Sequence, residues 1–276
     1  SVQRMGNPSR SEQPAIVATA LTRRFGALVA VDHLDVQIKA GIIFGLLGPN
    51  GAGKSTTVKM LTTLLPPTSG SALVAGHDIV REAAEVRRHI GYVPQLVSAD
   101  GGLTGFENLR LSARLYDIPR GERAARIADA LGFMGLTDAA DTLVRTYSGG
   151  MVRRLEVAQA LLHRPAVLFL DEPTIGLDPM ARHAVWERLL ESRKRFALTV
   201  LLPPPDIEEA EHLCDRLAIM HAGRLAVSGT AAELKQTVGP AATLDDVFAH
   251  YAGGAIAEGG NYHDTVSTRR TATRLG

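Results

Sequence analysis

An α/β fold interrupted by a helical insert is predicted by three features of this sequence. The apolar run Ile42-Ile43-Phe44-Gly45-Leu46-Leu47 leads into a glycine-rich loop that opens a helix. A second apolar run, Ala166-Val167-Leu168-Phe169-Leu170, ends in two acids. Between them, residues 103–162 carry helical rather than strand periodicity.

Taken in order, residues 1–14 are polar and read as a disordered lead. Ile16-Val17-Ala18 and residues 28–38 alternate apolar and polar side chains, which predicts antiparallel strands around a turn at 23–26. The strand at 42–47 and its glycine loop come next. A helix follows over 56–65, with Val58, Leu61, Leu64 and Leu65 at helical spacing. Pro66-Pro67-Thr68-Ser69-Gly70 is a loop, residues 71–75 return as a strand, and Ile90-Gly91-Tyr92-Val93 is a short strand stopped by Pro94. Within the insert, Leu109, Ala113 and Tyr116 share one helical face, and Ile127, Ala130 and Leu131 another. Residues 166–170 and 198–202 are buried strands. Residues 253–276, rich in Gly, Thr and Arg without periodicity, read as a flexible tail.

Bulk composition narrows the function. A chain of 276 residues can bury one large core or a core with a subdomain. The formal net charge of +1, with no basic run longer than three residues, argues against nucleic acid as a partner. The single cysteine, Cys214, excludes an internal disulfide framework and is expected as a buried structural thiol on an amphipathic helix. No apolar run approaches the ~18 residues that crossing a bilayer requires, so the chain is expected in the cytoplasm.

The chemistry begins at Gly48-Pro49-Asn50-Gly51-Ala52-Gly53-Lys54-Ser55, followed by Thr56. This is the phosphate-binding pattern G-x-x-x-x-G-K-[ST] between a strand and a helix. Glycines let backbone N–H groups crowd phosphate oxygens, and the helix N-terminus adds partial positive charge. Lys54 is placed to reach the β- and γ-phosphates, and Ser55 to hold Mg²⁺. The acids after the second strand complete the site: Asp171 can support Mg²⁺, and Glu172 can polarise a water aimed at the γ-phosphate. Further upstream, Tyr147-Ser148-Gly149-Gly150-Met151 opens another helix, a second anion-binding geometry. Taken alone it is a plain N-cap. Two anion sites do not easily serve one phosphate within one chain, so Ser148 and Gly150 suggest a site completed on another copy.

These residues resemble the ATP-binding cassette (ABC) family over about residues 15–230. Gly48 to Thr56 are similar to Walker A, Ser148-Gly149-Gly150-Met151 to the signature motif, and Leu168 to Glu172 to Walker B. Gly176-Leu177-Asp178-Pro179 resembles the D-loop, which places Asp178 at the nucleotide. Gln95, after Tyr92-Val93-Pro94, matches the Q-loop glutamine, a sensor of Mg²⁺ and γ-phosphate. Phe25 falls where the family stacks an aromatic on adenine, although a Phe at a strand turn is usually core. Thr243-Leu244-Asp245-Asp246-Val247-Phe248, with Tyr147, is similar to the daunorubicin-resistance-type exporters of the ABC-2 class.

The resemblance implies a RecA-like P-loop NTPase core with an antiparallel β subdomain and an inserted α-helical subdomain at about 96–162. It also implies a C-terminal extension over 231–252. ATP and Mg²⁺ are the implied cofactors. The implied partners are an integral membrane permease and a second cassette, as homodimer or heterodimer, on the cytoplasmic face of the cell membrane. One position departs from the family. The strand at 198–202 runs into Pro203-Pro204-Pro205-Asp206, which puts Pro205 where the family carries a histidine on the γ-phosphate. Proline offers neither a side-chain donor nor an N–H. ATP binding with slow hydrolysis is therefore expected. Two other readings stand beside this one: a catalytically degenerate cassette paired with an active one, and a soluble non-transport ABC ATPase.

Overall fold

The computed structural model describes residues 14–252. The expected lead (up to residue 13) and the tail over 253–276 lie outside them. The first layer begins with β1 (Pro14–Phe25) and β2 (Leu28–Lys39), so Pro14, assigned above to the lead, starts a strand. Both strands run further than expected. Arg23, Arg24 and Phe25 pair with β2, and Gly26 and Ala27 alone make the turn, Gly26 at φ 58°. After β3 (Ile43–Leu47) and α1 (Lys54–Leu61) come β4 (Ser69–Val74), β5 (His77–Asp78) and α2 (Ala83–His89). The order β2-β1-β4-β5 forms an antiparallel sheet.

Helix α1 stops short of the expected Leu65. Thr62 turns its hydroxyl back onto the Val58 carbonyl, Thr63 takes φ 64°, and the N–H groups of Leu64 and Leu65 both converge on the Lys59 carbonyl. The Thr62 hydroxyl bonding back to its own backbone and the left-handed Thr63 end the helix.

The second sheet is mainly parallel. It contains β6 (Ile90–Val93), β7 (Val167–Leu170), β8 (Thr199–Leu202), β9 (Arg216–His221) and β10 (Arg224–Gly229), in the order β10-β9-β3-β8-β7-β6. Every pairing among β3, β6, β7, β8 and β9 is parallel, and only β10 runs against its neighbour. Strands β3, β7 and β8 are buried at every residue, which explains their continuous apolar runs. Helix α1 lies between the two sheets. Its Val58, Met60 and Leu61 share a core with Ile16, Leu34 and Val74 on one side and Phe169 and Leu201 on the other.

Between β6 and β7 the chain forms α3 (Gly105–Leu115), α4 (Arg120–Phe133) and α5 (Gly149–Leu161). A capping box at Thr104 and Glu107 starts α3. Leu109, Ala113, Ile127 and Leu131 enter one core, while Tyr116 ends α3 partly exposed and stacks on His163 at 3.7 Å. Helix α6 (Pro179–Phe196) covers the same core with Val185, Trp186 and Leu189. Next come α7 (Ile207–Leu213), α8 (Ala231–Val238) and α9 (Leu244–Tyr251). Cys214 is the residue that ends α7 rather than one within it. It is extended and half-buried, and burial pushes its thiol pKa up, which disfavours the thiolate.

Gly91 shows how tightly the helical part sits on the sheet. A Cβ there would overlap the Ala160 carbonyl of α5 and lie 3.0 Å from Leu168 Cδ1. Gly91→Ala is expected to destabilise the chain by about 1–3 kcal/mol in urea denaturation. Gly121→Ala, on the open face of α4 with nothing near its Cβ, is expected to cost nothing.

Candidate functional site

Four site segments leave the C-terminal ends of adjacent parallel strands. The glycine loop follows β3, the prolines follow β8, Asp171 and Glu172 follow β7, and Gln95 follows β6. Strand order alone thus sets them in one row, the edge where parallel sheets place ligands.

The loop is fixed from behind. The Gly223 N–H donates to the Ala52 carbonyl at 3.1 Å, and the Asp32 N–H donates to Gly223 at 2.8 Å. Gly53 sits at φ 103° with its α-carbon against the Ala30 carbonyl, a place no side chain can occupy. Gly51, at φ 81°, faces open space, and Asn50 beside it is exposed. Helix α1 begins with no side-chain cap on its first N–H groups. Lys54 is only 8% exposed, and its ammonium donates to the carbonyls of Gly48 (2.6 Å) and Pro49 (3.0 Å). Burial lowers its pKa, and the charges of Glu172 and Asp171 oppose that shift.

Asp171 is buried, and its N–H is held by the Val93 carbonyl at 2.9 Å. Desolvation raises its pKa; Lys59, Lys54, a hydrogen bond with Ser55 and Arg153 pull it down. Its Oδ1 is buried without a hydrogen-bond partner. An uncapped helix start behind a glycine cradle, a buried lysine, an exposed Ser55 hydroxyl and an orphaned carboxylate oxygen fit a Mg²⁺-bound triphosphate. Thr56 follows in the first turn of α1, half-buried. Glu172 takes φ 51°, rare for a residue with a side chain, and accepts a hydrogen bond from the Gln95 amide.

The structure therefore brings Lys54, Ser55, Asp171, Glu172 and Gln95 together. Phe25 stands at the tip of the first hairpin, 46% exposed, with the Arg23 guanidinium 4.6 Å over its ring. It is not a core residue. Ser148, Gly149, Gly150 and Asp178 form a second group at the starts of α5 and α6. Ser148 caps α5 by accepting from the Met151 N–H, and Asp178 caps α6 by accepting from the Ala181 N–H at 2.9 Å. Side chains at Gly149 and Gly150 would press on Leu177 and Ala181, so the two helix starts are packed together.

Sequence reasoning missed the pair that joins the groups. Arg153 and Glu156, both buried on α5, form an ion pair at 3.0 Å. Arg153 also donates to the carbonyls of Pro94 (2.8 Å) and Gln95 (3.2 Å), while Glu156 accepts from the N–H and hydroxyl of Ser98. The Gln95 segment is thus tied to the helix that Ser148 opens. The available signal was an Arg and a Glu three residues apart on a helix, facing the same way as its apolar residues. Glu156→Ala strands a buried guanidinium and is expected to destabilise the chain by about 3–5 kcal/mol in denaturant titration. Arg110→Ala, on the outer side of α3, serves as the surface control.

The ABC transporter family model matches residues 31–175. The chain is 45% identical over 225 residues to the daunorubicin/doxorubicin resistance ATP-binding protein DrrA of Streptomyces peucetius, covering 82% of this chain and 68% of that protein. It is 45% identical over 210 residues to the Nod factor export ATP-binding protein I of Cupriavidus metallidurans, covering 76% and 69%. Among solved structures it is similar to an ATP-binding subunit of an ABC transporter (TM-score 0.77, 29% identity, 87% of this chain and 100% of that one). It is also similar to cbiO1 from Clostridium perfringens, part of the ABC transporter complex cbiONQ (TM-score 0.75, 28% identity, 81% and 91%).

Proposed function

Since the chain belongs to the ABC transporter family, we propose that it is the nucleotide-binding subunit of an exporter, and that it binds and slowly hydrolyses Mg-ATP to drive a separate membrane permease. The observation that carries this reading is the row of Lys54, Ser55, Asp171, Glu172 and Gln95 at neighbouring strand ends. The relatives named for drug resistance and Nod factor export support the exporter class.

In this reading the backbone of Gly51 to Lys54 cradles the phosphates and the Lys54 ammonium leaves the Gly48 and Pro49 carbonyls for them. Ser55 and Asp171 would hold Mg²⁺, which neutralises phosphate charge when bound. Gln95 and Glu172, already hydrogen-bonded, orient the attacking water. Phe25 offers its free ring face to adenine. Ser148 and Gly150 of one copy, with Asp178, cap the nucleotide on its partner.

No helix among the described residues is long and apolar enough to cross a membrane; in this reading transport runs through a separate permease. Leu96 and Val97, 80% and 65% exposed immediately after Gln95, give such a partner an apolar surface beside the site. The degenerate-cassette reading draws on Pro205, which stands half-buried at the strand end where the family carries its histidine.

Three measurements check this. Lys54→Ala should weaken ATP binding at least tenfold, about 1.4 kcal/mol, by calorimetry; unchanged affinity defeats the assignment. Glu172→Gln with saturating Mg-ATP should accumulate a dimer in light scattering, alone or with a partner cassette. Losing one positioned donor typically costs 10²–10³-fold in rate. Replacing Pro203, Pro204 and Pro205 with Thr, Thr and His should therefore raise turnover at least tenfold, whereas an original turnover of ~1–10 s⁻¹ would show that no donor is missing.

A further inference from the structure

Glu209 is completely buried on α7, and its Oε2 accepts two hydrogen bonds from distant elements. One comes from the Thr174 hydroxyl, two residues after Glu172. The other comes from the Trp186 indole N–H of α6 at 2.9 Å. Its Oε1 has no partner.

Thr174 is a buried member of the turn that carries Glu172. The backbone bonds inside that turn, from Ile175 N–H to the Glu172 carbonyl and from Leu177 N–H to the Thr174 carbonyl, are long at 3.4 and 3.2 Å. Yet the turn must keep Glu172 at φ 51°, a conformation that persists only where neighbours impose it. On the near side, Asp171 is fixed by the Val93 carbonyl. On the far side, the fixed point is Thr174 on Glu209.

We propose that Glu209 is a positioning residue for hydrolysis: it pins Thr174 and so holds Glu172 in its left-handed conformation beside Gln95. The inference rests on Glu172 being the water-orienting group. A neutral acid suits the role, because what the clamp needs is an acceptor oxygen rather than a charge. Burial pushes the Glu209 pKa up to about 7, opposed by the bonds from Thr174 and Trp186. The other ionisable groups facing this cluster are Arg182 and His183 on α6, and Asp206, His212 and Cys214 around α7.

The test compares steady-state ATP hydrolysis by the full chain and its Glu209→Ala, Glu209→Gln, Thr174→Val and Glu172→Gln variants, with amide hydrogen exchange over residues 172–178. Glu209→Ala should lower kcat at least tenfold while KM for ATP stays within threefold, since the phosphate cradle is elsewhere. Thr174→Val should do the same, and the double variant should be no worse than either. Glu209→Gln keeps the acceptor oxygen and should return kcat to within threefold. Exchange over 172–178 should speed up in Glu209→Ala and Thr174→Val but not in Glu209→Gln. This readout also serves if Glu209→Ala folds poorly or turnover is too slow to follow. Unchanged kcat and exchange in a folded Glu209→Ala, or a Glu209→Gln as impaired as Glu209→Ala, overturns the clamp. If Glu172→Gln leaves turnover intact, it is the water-orienting role that fails.

Discussion

An ammonium taken out of water must be met by oxygen, and the site of this protein is organised around that requirement. Lys54 is nearly buried, at an effective cost of several kcal/mol if left uncompensated. Two backbone carbonyls and the field of Asp171 and Glu172 meet it. Asp171 needs the lysine in turn, because burial raises its pKa and Lys59, Lys54, Ser55 and Arg153 offset only part of that rise. None of these groups sits comfortably without the others. They come from β3 and β7, which are not adjacent: β8 lies between them. The electrostatic balance therefore depends on the register of three parallel, fully buried strands.

Stiffness is the second requirement. A positive φ at a glutamate costs on the order of 1–3 kcal/mol, so Glu172 must be held from both sides. The Val93–Asp171 bond does this from β6, and the Thr174–Glu209 bond from α7. Arg153 and Glu156 extend the frame to the Gln95 segment. The helical insert thus connects to the row of strand ends through a buried ion pair, a directional link that a shift of α5 would carry to Gln95.

What could be read from the sequence was local. The glycine loop, the acids after β7 and the burial of β3, β7 and β8 follow from contiguous residues with a short-range physical meaning. Helix α1 ends before its apolar periodicity does because the Thr62 hydroxyl bonds back to the backbone and Thr63 turns left-handed, neither of which that periodicity encodes. Phe25 could be either core or surface on its local pattern, and only the two-residue turn leaves it exposed. The Arg153–Glu156 pair and the Glu209 clamp stayed hidden for a different reason. Their meaning lies in partners 58 and 35 residues away, Ser98 and Thr174, and no periodicity encodes such pairings.

The end of β8 shows what such a site lacks. Pro203 and Pro204 are buried, Pro205 is half-buried, and Asp206 is occupied with capping α7 and binding Arg182 at 2.8 Å. Three successive prolines fix φ and remove three N–H groups, so the segment brings only carbonyl acceptors to the row of strand ends. In the proposed reading, donors to the γ-phosphate then come from one side alone, from Lys54 and the glycine loop. A helix start such as that of Ser148, Gly149 and Gly150, presented by a second chain, supplies donors from the opposite side. Losing the donor within the chain therefore makes the nucleotide more dependent on its dimer partner: charge that a histidine would have met locally must be met across the interface.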